Sequence, residues 1–211
     1  MKGIHLHNTY KFIIIGFLLL SFHGLNAQGF KAGIQLGITG TQVTGDRLSG
    51  YNKAGLFGGS FVNIPVGKLG DAQLEINFIQ KGSRKNAKPS DGIYTSFLLR
   101  LNYIEVPVMY RFDIWKQLKI EAGGQFAYLI NSRQFDENGE FYEVPGVPDF
   151  NKYDISVLAG LNYKINDNWG FSFRYSYSVL AIRPKPFNNN GLNYDGGQYN
   201  DVLCTTFQYY F

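Results

Sequence analysis

Hydrophobic and polar residues alternate with period two along most of the chain, in one segment after another. The cleanest case is Trp169–Val179. Trp169, Phe171, Phe173, Tyr175, Tyr177 and Val179 share one face, and Gly170, Ser172, Arg174, Ser176 and Ser178 share the other. Strict alternation of this kind predicts a β-strand with two unlike faces. Tyr153–Ile165 repeats it, with Leu158 the one apolar residue on the polar side. Phe30–Ile38, Asn102–Phe112 and Leu118–Tyr128 follow the same rule. Ala72–Phe78 alternates over a shorter run, and Leu203–Phe211 does so except at Tyr210. Ala54–Ile64 is blurred, because Phe57 and Phe61 share a face with Gly55, Gly59 and Asn63. These segments make eight strands.

The links between strands alternate in length. Pro65–Gly70, Trp115–Gln117 and Asn166–Asn168 are short; Val43–Asn52, Gly82–Ile93, Asn131–Asn151 and Ala181–Gln198 are long. Segregated loop lengths of this kind belong to the transmembrane barrel plan, in which short turns lie on the periplasmic side and long loops outside. Three further features point the same way. The polar stripe is rich in glycine (Gly33, Gly37, Gly55, Gly59, Gly123, Gly160 and Gly170), which suits a narrow, crowded interior. Aromatic residues such as Tyr110, Phe112, Trp115, Tyr153, Tyr163 and Trp169 gather near strand ends, where interfacial girdles form. The last strand closes on Phe207, Tyr209 and Phe211. The pattern predicts an all-β fold: an eight-stranded antiparallel up-and-down transmembrane β-barrel, both termini periplasmic, with apolar side chains turned to outer-membrane lipid.

Residues 1–27 read as a secretory signal peptide. Lys2 and Lys11 flank its start, Phe12–Leu20 is an unbroken apolar run, and Ser21, Gly24 and Ala27 are small residues before a cut. The apolar run is about half the roughly 20 residues a membrane-spanning helix needs. Residues 28–211 then form the barrel domain. Aromatic content of 17% against only 17% charged residues is low in charge for a soluble domain. The formal charge of +4 falls to +2 without Lys2 and Lys11 (4 − 2), too weak a surplus for a nucleic-acid partner. Cys204 is the only cysteine, so no intramolecular disulfide forms.

The inward stripe carries Lys31, Glu75, Glu105, Arg111, Lys119, Glu121, Asp154, Lys164 and Arg174. Charges in a low-dielectric interior must pair. The expected network is Glu75, Glu105, Arg111, Glu121, Asp154 and Arg174, with Glu105 or Glu121 beside Arg174 or Arg111. Eight strands leave little room for water, so a narrow channel ranks behind a structural ion-pair plug. Among the long loops, Gly82–Ile93 holds Arg84, Lys85 and Lys88, with Lys81 just before it, a cluster suited to lipopolysaccharide phosphates. The 131–151 loop is acidic, yet its carboxylates lack calcium-loop spacing. Phe141, Tyr142 and Phe150 make that loop unusually apolar and mark it as a candidate contact for a protein partner.

No catalytic, metal or cofactor site is expected. His5, His7 and His23 all lie in the leader, which leaves the barrel without the usual general base or commonest metal ligand.

LEINFIQKGSR (Leu74–Arg84), LNYIEVPVMYRF (Leu101–Phe112), GGQFAYLI (Gly123–Ile130), YDISVLAGLNYKI (Tyr153–Ile165) and FRYSYSVL (Phe173–Leu180) follow one another in a characteristic order. The chain resembles the PorT-like outer-membrane β-barrel family of Bacteroidetes-type bacteria over essentially all of residues 28–211. The resemblance implies an eight-stranded outer-membrane barrel and, through the named relative, an accessory role in type IX protein secretion. The expected function is therefore a non-enzymatic outer-membrane barrel whose loops contact a protein partner or the cell envelope, with the secretion role as the alternative.

Overall fold

The computed structural model describes residues 29–141, 147–184 and 197–211. The leader at 1–27 lies outside the described residues. Eight long strands form the wall: β1 (Lys31–Thr44), β2 (Lys53–Pro65), β3 (Gly70–Lys85), β4 (Phe97–Asp113), β5 (Leu118–Asp136), β7 (Tyr153–Lys164), β8 (Trp169–Ser178) and β9 (Tyr199–Tyr210). A three-residue strand, β6 (Gly139–Phe141), folds back on the end of β5 and pairs only there. Every pairing is antiparallel, and β9 returns to β1 in register from Gly33↔Tyr210 to Thr44↔Tyr199. The result is a closed eight-stranded antiparallel barrel with no free edge in its wall.

Which way the faces point follows from exposure. Leu36 and Ile38 are 69% and 65% exposed, whereas Glu75 and Asp154 are 1% and 0% exposed. Ile64, Leu74, Ile76, Val108, Phe126, Val157, Leu161 and Phe207 are exposed with them. The barrel is thus inside-out relative to a soluble one. Only a hydrocarbon surround solvates such a wall favourably, and there the closed ladder satisfies the backbone.

The blurred pattern of β2 has a packing cause. Phe57 and Phe61 point inward and are buried. A Cβ added at Gly33 would lie 2.3 Å from Phe61 Cζ, so the small residue on β1 makes room for the ring on β2. Phe61 then meets Tyr210 edge-on at 5.0 Å.

Two strands run further than alternation suggests. Gly82–Lys85 belongs to β3 and Asn131–Asp136 to β5, both expected as loop. The pairing steps from Asn102↔Asn131 to Tyr103↔Leu129, which leaves Ile130 as a bulge and shifts the parity of β5 by one residue. Above this point the outer side chains turn polar and the inner ones apolar, so a fixed period no longer marks the strand. The short links (66–69, 114–117 and 165–168) sit at one end of the barrel and the long ones (45–52, 86–96, 142–152 and 179–198) at the other. Among the described residues, no helix is long and apolar enough to cross a membrane.

Candidate functional site

Because strands place every second residue inside, the polar stripes of all eight strands converge on the barrel axis. In the middle, Arg174 on β8 donates from Nη1 and Nη2 to Glu75 on β3 at 2.8 and 2.7 Å, and from Nε to Glu121 on β5. Glu75 also accepts from Gln35 at 2.8 Å and Asn77 at 2.7 Å, and Glu121 from Ser172 at 2.8 Å. Towards the long-loop end, Lys81 bridges Glu105 at 3.2 Å and Asp154 at 3.3 Å. Asn200 and Ser156 donate to Asp154 at 2.9 and 3.0 Å. Towards the short turns, Arg111 and Lys119 hold Asp71 at 2.6 and 2.7 Å. Arg111 also donates to the Tyr210 hydroxyl, and the chain Tyr210–Gln208–Gln35 links this group to Glu75.

Glu75, Glu105, Arg111, Glu121, Asp154 and Arg174 are therefore all inside, and the expected carboxylate–arginine contact forms through one of the two glutamates. Glu121 meets Arg174, while Glu105 meets neither arginine and takes Lys81 instead. Lys81 is thus corrected from a loop-flanking cation to a fully buried one, because β3 continues past it. Arg111 pairs with Asp71, a residue the sequence reading passed over. Lys31 is exposed, and Lys164 reaches Asp167 in the short turn at 2.8 Å, so neither joins the network.

Above the ionic layers an apolar plug fills the mouth. Val43, Phe57, Ile79, Leu99, Leu101, Leu129 and Val202 pack there with Phe150 and Ile182 from the long connections. The Asn151 backbone N–H donates to Ile182 O at 2.7 Å, tying the two connections together. This corrects the role expected of Phe150. It is 8% exposed under the Arg183 guanidinium, which lies 3.6 Å from its ring centroid, so it closes the barrel instead of facing a partner. Phe141 is half-buried and tilts against Phe97 at 6.3 Å. Tyr142 lies outside the described residues. An interior stacked with ion pairs and capped by apolar side chains is expected to conduct no ions. Planar-bilayer recordings of the purified barrel should show no resolved steps; steady single-channel currents would contradict the packing described.

The basic loop residues converge on a different feature. A cleft of about 360 Å³ opens at the long-loop end between the 45–52 and 86–96 connections, lined by Arg47, Ser49, Asn52, Arg84, Lys85 and Lys88 among others. Local backbone chemistry sets its shape. Lys88 and Ile93 exchange backbone hydrogen bonds at 2.7 and 3.1 Å around a 3-10 turn at Pro89–Asp91, with Gly92 at φ 72° ending it. On the facing loop, Asp46 accepts from the Leu48 N–H at 2.8 Å. Arg47, which the sequence reading did not single out, is the one non-glycine residue with positive φ (63°) among the described residues. A left-handed arginine costs on the order of 1 kcal/mol, and such strain concentrates at functional positions. Lys88 has Asp91 at 3.9 Å, a loose and exposed pair. Burial raises the Asp46 carboxyl above its ordinary range, against hydrogen bonds from Ser83 and the Leu48 N–H. Among the described residues, no group of three or more His, Cys, Asp or Glu is placed to hold a metal ion.

A closed, inside-out barrel with enclosed ion pairs defines an integral membrane β-barrel protein. The chain belongs to the family of outer membrane protein beta-barrel domains, which matches residues 26–182. It is accordingly an integral barrel of the outer membrane. No curated protein matches the sequence. Among solved structures, Neisserial surface protein A is similar at 16% identity and a TM-score of 0.52, over 87% of this chain and 99% of that one. The attachment invasion locus protein Ail of Yersinia pestis is similar at 13% identity and a TM-score of 0.48, over 87% and 99% of the two chains. At these identities the first likeness concerns the fold alone.

Proposed function

We propose that this is a non-enzymatic outer-membrane barrel that holds its short turns and both termini in the periplasm and uses its long-loop end to grip the phosphate-bearing surface of the cell envelope. The cleft carries this reading: Arg47, Arg84, Lys85 and Lys88 converge there, with Ser49 and Asn52 as neutral donors. Guanidinium and ammonium groups around one concavity suit phosphate oxygens, through charge-assisted hydrogen bonds. The only thiol, Cys204, is buried inside the barrel, and every histidine precedes residue 28, which favours binding over catalysis. The test is binding of purified lipopolysaccharide to the detergent-solubilised barrel. Replacing Arg84, Lys85 and Lys88 together by glutamine should weaken binding about tenfold, roughly 1.4 kcal/mol, and flatten its salt dependence. Unchanged affinity and salt dependence would remove the cleft from the account.

A second reading rests on the runs Leu74–Arg84 and Leu101–Phe112, which resemble PorT-like barrels. It makes the protein an accessory part of type IX secretion, with a protein partner at its external loops. Deleting the gene and assaying secreted cargo tests it: normal secretion removes that role and leaves the envelope contact standing.

A further inference from the structure

We propose a lipid-headgroup site on the outer wall of the barrel at β3–β4–β5, where Arg100, beside the Arg133–Glu140 ion pair, receives a phosphate of a lipid A headgroup in the outer leaflet. This deepens the envelope reading above, and takes from it that the long-loop end faces outward.

The pairing of β3, β4 and β5 stacks their outward residues in rows. Phe78, Ile104 and Tyr128 form one row, followed towards the long loops by Gln80, Asn102 and Asn131, then Gly82, Arg100 and Arg133, then Arg84, Leu98 and Phe135. The wall passes from apolar to amide to cationic within three rows. That is the order in which acyl chains and then headgroup are met on leaving a bilayer.

Arg100 and Arg133 are direct cross-strand partners. Like charges so placed stand about 5 Å apart and destabilise a sheet unless something anionic lies between or beside them. Arg133 is held by Glu140 through two hydrogen bonds of 2.7 and 2.6 Å. Arg100 has no acidic partner among the described residues; its guanidinium lies 6.0 Å from the Phe135 ring, which Arg133 also approaches, at 5.1 Å, and its charge reaches the Lys53 ammonium on β2, a second cation. Opposite Arg100 on β3 stands Gly82, where an added Cβ would meet Leu99 O at 2.0 Å and Lys53 Cδ at 3.1 Å. One row below, Asn102 donates to Asn131 at 2.7 Å while its own Oδ1 has no donor. A phosphorylated glycolipid supplies what is missing: phosphate oxygens for Arg100 and acyl chains for the Phe78–Ile104–Tyr128 row. Arg84, in the top row, also lines the cleft. A single lipopolysaccharide molecule can then lie with lipid A on the wall and its core phosphates in the cleft.

Native mass spectrometry of the folded full barrel in zwitterionic detergent separates the two sites. The probes are bisphosphoryl lipid A, which lacks core sugars, and phosphatidylglycerol. Wild type should retain lipid A in preference to phosphatidylglycerol, Arg100→Gln should lower that retention about tenfold, and Lys116→Gln, in a short turn at the other end, should leave it unchanged. The Arg84, Lys85 and Lys88 triple variant should affect core-bearing lipopolysaccharide more than lipid A, so failure at the wall and failure at the cleft are read apart. Boiled and unboiled gel mobility verifies that each variant is folded. Equal retention of lipid A and phosphatidylglycerol by wild type, or wild-type retention by a folded Arg100→Gln, overturns the site.

Discussion

Arg174→Met is expected to destabilise the folded barrel by about 3–5 kcal/mol, the scale for removing one partner from a buried ion pair. The cause is local charge arithmetic. One guanidinium holds two carboxylates, Glu75 and Glu121, both fully enclosed. Without it, two like charges face each other in a narrow interior with only amide and hydroxyl donors for company. Reversible urea unfolding in detergent or bilayers measures the loss. A second variant makes the origin explicit. Replacing Arg174, Glu75 and Glu121 together by Met, Gln and Gln removes the charges in balance, and most of the lost stability should return, because a neutral packed centre is often as stable as the ionic one it replaces. If the single variant matches wild type, or the triple variant is as unstable as the single one, the interior is wetter than its packing implies.

Glycine enters the same cluster by a close approach. A Cβ at Gly160 would come within 2.5 Å of Phe173 O and 2.9 Å of Arg174 Cγ. Gly160→Val should therefore destabilise the barrel by about 1–3 kcal/mol through overpacking, whereas Gly139→Val, with open space around it but a φ of 119°, should cost only its local backbone strain in the β5–β6 turn. Comparing the two unfolding midpoints checks whether crowding inside the wall dominates.

The wall was legible because a barrel makes the same demand of every residue: odd positions go to lipid and even positions inside, or the reverse. Within β7, β8 and β9 that rule alone places Asp154, Arg174 and Cys204 inside. It fails where the demand changes. At the long-loop end the outer surface leaves the hydrocarbon and the inner one becomes an apolar plug, so Leu99, Leu101 and Leu129 point inward and Arg100 and Arg133 outward. The Ile130 bulge then shifts the count by one residue. Phe150 misleads for a related reason: it sits in a long connection, yet that connection dips into the mouth, tied by backbone bonds to the 179–198 segment. The cleft was legible as a run of cations but not as a cavity. Arg47, on a separate loop, joins it only through a left-handed turn that no spacing announces.

Lys81 supplies the second large effect, and its contrast with Lys88 isolates the cause. Both are lysines in one short stretch of β3 and the loop after it, grouped in sequence as one run of cations. Lys81 is 0% exposed, bridges Glu105 and Asp154, and lies 5.0 Å from the Tyr103 ring centroid. Lys81→Met leaves two buried carboxylates without a cation and should cost about 3–5 kcal/mol. Lys88→Met removes one member of an exposed 3.9 Å pair with Asp91 and should change stability by less than about 0.5 kcal/mol. Under the proposed role of the cleft the order of effects on binding is the opposite: Lys88→Met should weaken lipopolysaccharide binding, while folded Lys81→Met should leave it intact. Side-by-side urea midpoints and lipopolysaccharide titrations read both. Equal stability of the two variants would mean that Lys81 faces solvent, and that β3 ends where its alternation does.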